Sequence, residues 1–229
     1  MAIADDLRKW VGDTFASPWE VQETSRIPDP AKLRLNSNHA MDLNAATVLY
    51  ADLDGSTDMV NTNKWQFSAE IYKTFLKCAS DIIRNQGGMI TAYDGDRVMG
   101  IFTGDGMNFE AAQCALRINW AVNEVIKPAM KKHWAGDFEL RHVVGVDTSQ
   151  LRAARIGAYG DNDIVWVGRA ANYAAKLTSW GGKASRITED VYKQLPDAGK
   201  YSQGKDMWVR EYWDAQQIHT YSSTWQWSY

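Results

Sequence analysis

Two aspartates, Asp52 and Asp96, stand where short apolar runs give way to glycine turns. Asp52 lies in the run ATVLYADLD (46–54), and Asp96 lies between MITAY (89–93) and RVMGIFT (97–103). If the end of that strand and the tip of that hairpin lie side by side, two carboxylates meet at the edge of a sheet. Adjacent carboxylates raise one another's pKa unless a cation neutralises them. Magnesium does so with one or two carboxylates and keeps positions for water and phosphate oxygens. The residues after Asp52 suit the same purpose. Gly55 lets the backbone approach a ligand, and Ser56 and Thr57 open a helix whose unpaired N–H groups favour a phosphate. DLDGST therefore reads as a metal ligand joined to a phosphate cradle, although an Asp-Gly turn before a helix is common by itself.

The elements that must position these groups follow from periodicity. The run 46–54 is a strand. A helix is expected over 64–85, with Phe67, Ile71, Phe75, Cys78 and Ile82 along one face. Two strands joined at Asp94-Gly95-Asp96 form a hairpin. A second long helix is expected over 108–131, then strands at 138–147, 151–158 and 164–167. A third helix follows Gly168 and reaches about Ser179. A strand, a helix over 189–195 and strands near 205–210 and 217–221 complete the chain. Helices mixed with hairpin-linked strands predict an α+β fold with a mostly antiparallel sheet. Residues 1–45, with a short helix near 4–15 and a polar loop holding Pro18, Pro28 and Pro30, read as an N-terminal extension to a domain over 46–229.

Bulk properties narrow the function. The chain has 229 residues and a formal net charge of −3, so nothing draws the whole protein to nucleic acid or an anionic membrane. The segment MAIADDLRKWVGD lacks a signal peptide's basic and apolar regions, and no apolar run is long enough to span a bilayer. A cytoplasmic location is expected. Cys78 and Cys114 sit in apolar helical runs and read as lone thiols. His39, His133, His142 and His219 have no ligand spacing, and Asp54 and Asp94 read as turn and cap residues. The many tryptophans, Trp208, Trp213, Trp225 and Trp227 among them, suit an aromatic core and dimer surface.

Three segments in order carry a resemblance. YADLDGST (50–57), GDRVMGIF (95–102) and GRAANYAAKL (168–177) resemble the signatures of class III nucleotidyl cyclases, and the likeness extends over 46–221. It implies a ferredoxin-like βαββαβ core and cyclisation of a nucleoside triphosphate to a 3′,5′-cyclic nucleotide and pyrophosphate. Asp52 and Asp96, with the backbone carbonyl of Leu53, would hold two ions per site, Mg²⁺ or Mn²⁺. One would activate the ribose 3′-hydroxyl and the other would hold the triphosphate. Asn172 would orient the ribose. Lys176 stands where the family commonly has Arg, and supplies charge to the α-phosphoryl group without the planar fork. Lys205 and Arg210 are candidates for the terminal phosphates. The resemblance further implies a homodimer with active sites shared between subunits.

The purine cyclases of this family read the base at two positions, occupied here by Ala92 and Val165. Neither side chain can hydrogen-bond a purine edge. Tyr50 replaces the usual Phe and adds a hydroxyl near the base. This combination resembles the pyrimidine cyclases of bacterial anti-phage defence, which implies UTP as substrate and cyclic UMP as messenger. Cytidylate and purine cyclases are the alternatives, as is a degenerate cyclase fold that only binds nucleotide. A diguanylate cyclase would need a Gly-Gly-Asp/Glu-Glu-Phe hairpin, which Tyr93-Asp94-Gly95-Asp96-Arg97 does not supply.

Overall fold

The computed structural model describes residues 2–158 and 161–229, and the side chains of Ala158, Asp161 and Asn162 are outside the description. Helix α1 (Ala2–Ala16) leads to β1 (Glu20–Thr24) and the long β2 (His39–Asp54). Then come α2 (Ser56–Thr62), α3 (Trp65–Asn85) and the hairpin β3 (Met89–Asp94) and β4 (Arg97–Phe102). Helix α4 (Met107–Trp120) passes through a π-helical stretch (Ala121–Ile126) into α5 (Lys127–His133). The rest is β5 (Arg141–Ala158), β6 (Asp161–Val167), α6 (Arg169–Thr178), β7 (Ser185–Thr188), α7 (Glu189–Lys193), α8 (Asp197–Lys200), β8 (Tyr201–Ser202), β9 (Lys205–Asp206), β10 (Val209–Trp213) and β11 (Ile218–Ser223).

The main sheet has the order β10-β11-β7-β5-β2-β4-β3, with β1 beside β2 and β6 beside β5. Among the described residues only the β1–β2 and β5–β7 pairs are parallel. Its centre, β5-β2-β4-β3, is the ferredoxin-like order, and the α+β expectation holds. Side chains alternate across β2. Leu49, Ala51 and Leu53 enter the larger core with Phe75 and Ile83 of α3 and Leu116 of α4. Val48 faces the other way, toward Ala170, Ala171 and Ala174 of α6. Full burial of a side chain such as Phe75 contributes ~1.5–3 kcal/mol.

Three expectations shift. The strand expected from 46 begins at His39, because β1 supplies it with a partner from Glu20↔His39 to Thr24↔Leu43. The two strands expected over 138–158 are one, β5, since Thr148 and Ser149, in the gap between them, continue the ladder with Thr47 and Ala46 where their polarity suggests a turn. The helix expected over 108–131 contains the π-helical stretch just before Pro128, whose ring opens α5. Both cysteines are free, with Cys114 buried and Cys78 half-buried.

Helix α6 sits unusually low on the sheet. A side chain at Gly145 of β5 would place its Cβ 2.2 Å from the Ala174 carbonyl oxygen and 2.9 Å from Leu177 Cβ. Glycine at 145 is therefore what lets the helix backbone touch the strand.

Candidate active site

The β2–β4 ladder runs as far as Ala51 opposite Val98. Asp52 is the next residue on one strand, and Asp96 lies two residues before Val98 in the two-residue turn Gly95-Asp96. Both carboxylates thus stand at the same end of the ladder. Alternation puts Asp52 on the α6 side of β2, where Thr178 Oγ1 lies 3.3 Å from Asp52 Oδ2. Burial pushes the Asp52 carboxyl above its ordinary pKa, and the nearby charge of Asp96 adds to the rise. Arg97, Thr178 and the Leu53 backbone pull the other way. Asp96 Oδ2 is shielded from solvent and has no hydrogen-bond partner. A half-buried pair of like charges with an orphaned oxygen is an acceptor set short of a cation. Two carboxylates at one edge fit the ligand count that Mg²⁺ or Mn²⁺ takes from protein when phosphate and water complete the shell. Leu53 packs its side chain into the core, which leaves only its carbonyl for such a role.

Gly55 precedes α2 in the left-handed region at φ 79°. The first N–H groups of α2, on Ser56 and Thr57, have no partner within the helix. Arg141, at the start of β5, brings its Nη2 to 3.6 Å from where a Gly55 Cβ would stand. Its Nε bonds Asp54 Oδ2 at 3.2 Å, and that bond raises the guanidinium pKa further. A cleft of about 360 Å³ opens beside Asp54 and Arg141, lined also by His142 and Lys183. Arg210 lies elsewhere. From β10 it bonds Glu189 at the start of α7, and β11, β7 and β5 separate β10 from β2. Lys205 belongs to a separate two-stranded sheet, β8-β9. Within one subunit the cation nearest the Gly55 turn among these is thus Arg141, whose only sequence signal was a charge at the head of a strand.

Asn172 and Lys176 are exposed on α6, one turn apart. The buried residues of α6 are Ala170, Ala171, Ala174, Leu177 and Thr178. At roughly 100° per residue, Asn172 and Lys176 fall on the stripe opposite that buried face. They point away from the sheet that carries their own Asp52.

Tyr50 is half-buried on the Asp52 side of β2, and burial pushes its hydroxyl above the usual pKa. The Arg97 guanidinium lies 5.3 Å above the Tyr50 ring and bonds Asp94 at 2.7 Å, while its Nε has no partner. Ala92 packs near the same cluster as Tyr50 and pairs with Met99, which pairs with Tyr50. The ladder shifts between Ile90 and Ala92, and Thr91 Oγ1, inside that shift, is also buried and unpaired. Val165 is not drawn to this place within one subunit. It pairs with Ala154, at the far end of β5, and its neighbour Trp166 takes the face that packs on the α6 cluster. Arg97 is a residue the sequence reading passed over, although it directly follows Asp96.

No protein-family model matches the chain. A uridylate cyclase from Burkholderia cepacia is 70% identical over 228 residues, covering 100% of both chains. A uridylate cyclase from Xanthomonas perforans is 48% identical over 229 residues, covering 99% of each. Among solved structures, the adenylyl cyclase CyaB from P. aeruginosa is similar in fold, with a TM-score of 0.66 at 17% identity over 80% of this chain and 95% of that one. The guanylyl cyclase Cya2 is similar to the same degree, with a TM-score of 0.66 at 17% identity over 80% of this chain and 93% of that one.

Proposed function

This chain belongs to the uridylate cyclase family, and on that premise we propose that it converts UTP to 3′,5′-cyclic UMP and pyrophosphate in sites shared between two subunits. The observation that carries the reading is the orphaned oxygen of Asp96 beside the half-buried Asp52, with Tyr50 and Arg97 on the same edge.

The reaction forms one bond and breaks one. The ribose 3′-oxygen attacks the α-phosphorus, its proton leaves to solvent, and the bond from the α-phosphorus to the bridging oxygen of pyrophosphate breaks. Asp52, the Leu53 carbonyl and Asp96 would hold Mg²⁺ or Mn²⁺, which when bound favours the deprotonated 3′-oxygen and offsets charge on the leaving pyrophosphate. The Ser56 and Thr57 N–H groups and the Arg141 guanidinium would hold the terminal phosphates. Asn172 and Lys176 face away from their own Asp pair, so they would act on the nucleotide held by the other subunit. There Asn172 would orient the ribose, and Lys176 would place positive charge where the α-phosphoryl oxygens gain negative charge.

Base choice would follow from donors. The guanidinium of Arg97 can only donate, and the Tyr50 hydroxyl makes no hydrogen bond among the described residues. Uracil offers a carbonyl oxygen at position 4 where cytosine offers an amino group, so the donor-only guanidinium suits uracil, while the Tyr50 hydroxyl can donate or accept. Ala92 leaves a purine edge unread. The family likeness supports a messenger role in anti-phage defence. No helix among the described residues is long and apolar enough to cross a membrane.

The test is product formation from each of UTP, CTP, ATP and GTP with Mg²⁺ or Mn²⁺, separated by chromatography. UTP should be cyclised fastest. A preference for CTP would reject the donor argument, and a preference for ATP or GTP would reject the pyrimidine reading. Phage plaque counts on the native host carrying wild type or Asp96→Ala test the defence role.

A further inference from the structure

Over its first two turns helix α6 rests on the sheet through Ala170, Ala171 and Ala174, with Leu177 and Thr178 buried only at its far end. An alanine face is smooth, with little side-chain relief to interlock with a groove. It holds the helix down but resists rotation about its own axis weakly. Rotation is what would matter, because Asn172 and Lys176 lie on the far side and swing with the helix. At the N-terminal end of the helix another contact must set that angle.

The first residue of α6 supplies it. Arg169 Nε bonds Asp147 Oδ2 at 3.0 Å and Nη2 reaches Asp147 Oδ1 at 3.1 Å. The same Nη2 lies 2.8 Å from the Thr148 carbonyl and 2.6 Å from Asp190 Oδ2 on α7. Asp147 is 0% exposed, in the middle of β5, and Thr188 Oγ1 at the end of β7 donates to its Oδ1 at 2.5 Å. Ser149 Oγ accepts the Ala170 N–H at 2.9 Å. A two-point guanidinium–carboxylate grip fixes orientation as well as distance. A carboxylate held in the interior by a part-exposed guanidinium is a poor means of gaining stability, so its location at the root of α6 asks for another role.

We infer that the Arg169–Asp147 pair is a positioning device for the limb that α6 presents to the other subunit, setting the angle at which Asn172 and Lys176 meet the nucleotide. The inference rests on the reading that those two residues act on the substrate. Arg169 and Asp147 touch no reacting atom. Their effect passes through one turn of helix to Asn172 and two turns to Lys176.

The experiment uses full-length Asp147→Asn and Arg169→Lys. The first keeps the size of the side chain. The second keeps a positive charge on Asp147 but loses the two-point grip. Each should lower kcat by roughly 10–100-fold, as expected for a catalytic group misplaced by about 1 Å. KM for UTP and the Mn²⁺ concentration for half activity should stay within about threefold. Subunit mixing then locates the lesion. After exchange, shown by mass spectrometry of tagged subunits, Asp147→Asn mixed with Asp96→Asn should recover about a quarter of wild-type activity, since one of two sites in half the dimers carries neither lesion. Mixed with Asn172→Ala, it should recover nothing beyond its own residual rate. Wild-type kcat in both variants overturns the inference. So does equal loss in both mixtures, because a general weakening of the fold would not distinguish the two limbs. The control mixture, Asp96→Asn with Asn172→Ala, tests the shared site separately. If it alone stays inactive, the shared site falls, and the split between kcat and KM still decides whether the pair positions α6.

Discussion

Adding a single methyl group at Gly145 should disable the enzyme without touching any proposed ligand. In Gly145→Ala the new Cβ meets the Ala174 carbonyl oxygen at 2.2 Å and Leu177 Cβ at 2.9 Å, whereas ordinary contact begins at 3.4 Å. The nearer obstacle is backbone, so no side-chain rotation relieves it. Helix α6 must retreat by about 1.2 Å if the strand stays in its ladder. Overpacking of this kind costs ~1–3 kcal/mol, which for a domain of this size lowers Tm by about 2–12 °C. The same retreat carries Asn172 and Lys176 about 1 Å from the nucleotide, and a misplacement of that size costs roughly 10²-fold in rate. The assay is initial rate of cyclic UMP formation against UTP concentration, with Tm measured on the same sample. Gly12→Ala, where a Cβ would meet nothing within 4 Å, should leave kcat unchanged and should not lower Tm, since alanine favours a helix interior over glycine. If Gly145→Ala stays folded and keeps kcat within twofold of wild type, the seat of α6 does not set the catalytic geometry.

Asp52→Ala and Asp96→Ala should each reduce cyclisation below a tenth of wild type while keeping the far-ultraviolet circular dichroism, since neither side chain belongs to a core cluster. Tyr50→Phe and Arg97→Gln should each narrow the UTP preference by ~1–3 kcal/mol if their donors read the base, measured as the ratio of kcat/KM for UTP to that for CTP. His142 is fully buried, and burial drives its pKa from 6.5 down to about 3. The folded state therefore binds fewer protons than the unfolded chain between those values, and stability is lost as pH falls through 6.5 toward 3. By pH 5 the loss is ~2 kcal/mol, and urea unfolding of His142→Gln at pH 7 and pH 5 should lack that component. In the native protein a thiol reagent should label the half-buried Cys78 and spare Cys114, whose burial pushes its thiol well above the ordinary value.

The sequence by itself determined the local parts. Apolar runs that end in Asp52 and flank Asp96 specify a strand and a hairpin, because alternation and Asp-Gly turns are local physics. The three ordered segments identified the cyclase signatures, and the α+β class followed from the order of elements. Tertiary structure decided what meets what. Arg141 approaches Gly55 because β5 runs antiparallel to β2 and sets Arg141 opposite Asp54. Arg210 pairs with Glu189 of α7, 21 positions away, which no local pattern encodes. Arg97 comes to lie over Tyr50 through a cross-strand contact between β4 and β2. In the sequence the buried Asp147 reads only as the polar end of a strand. Its place at the root of α6 emerges only when β5, β7 and α6 converge on it, because the guanidinium and the hydroxyl that bond a buried carboxylate come from positions 22 and 41 residues away in the chain.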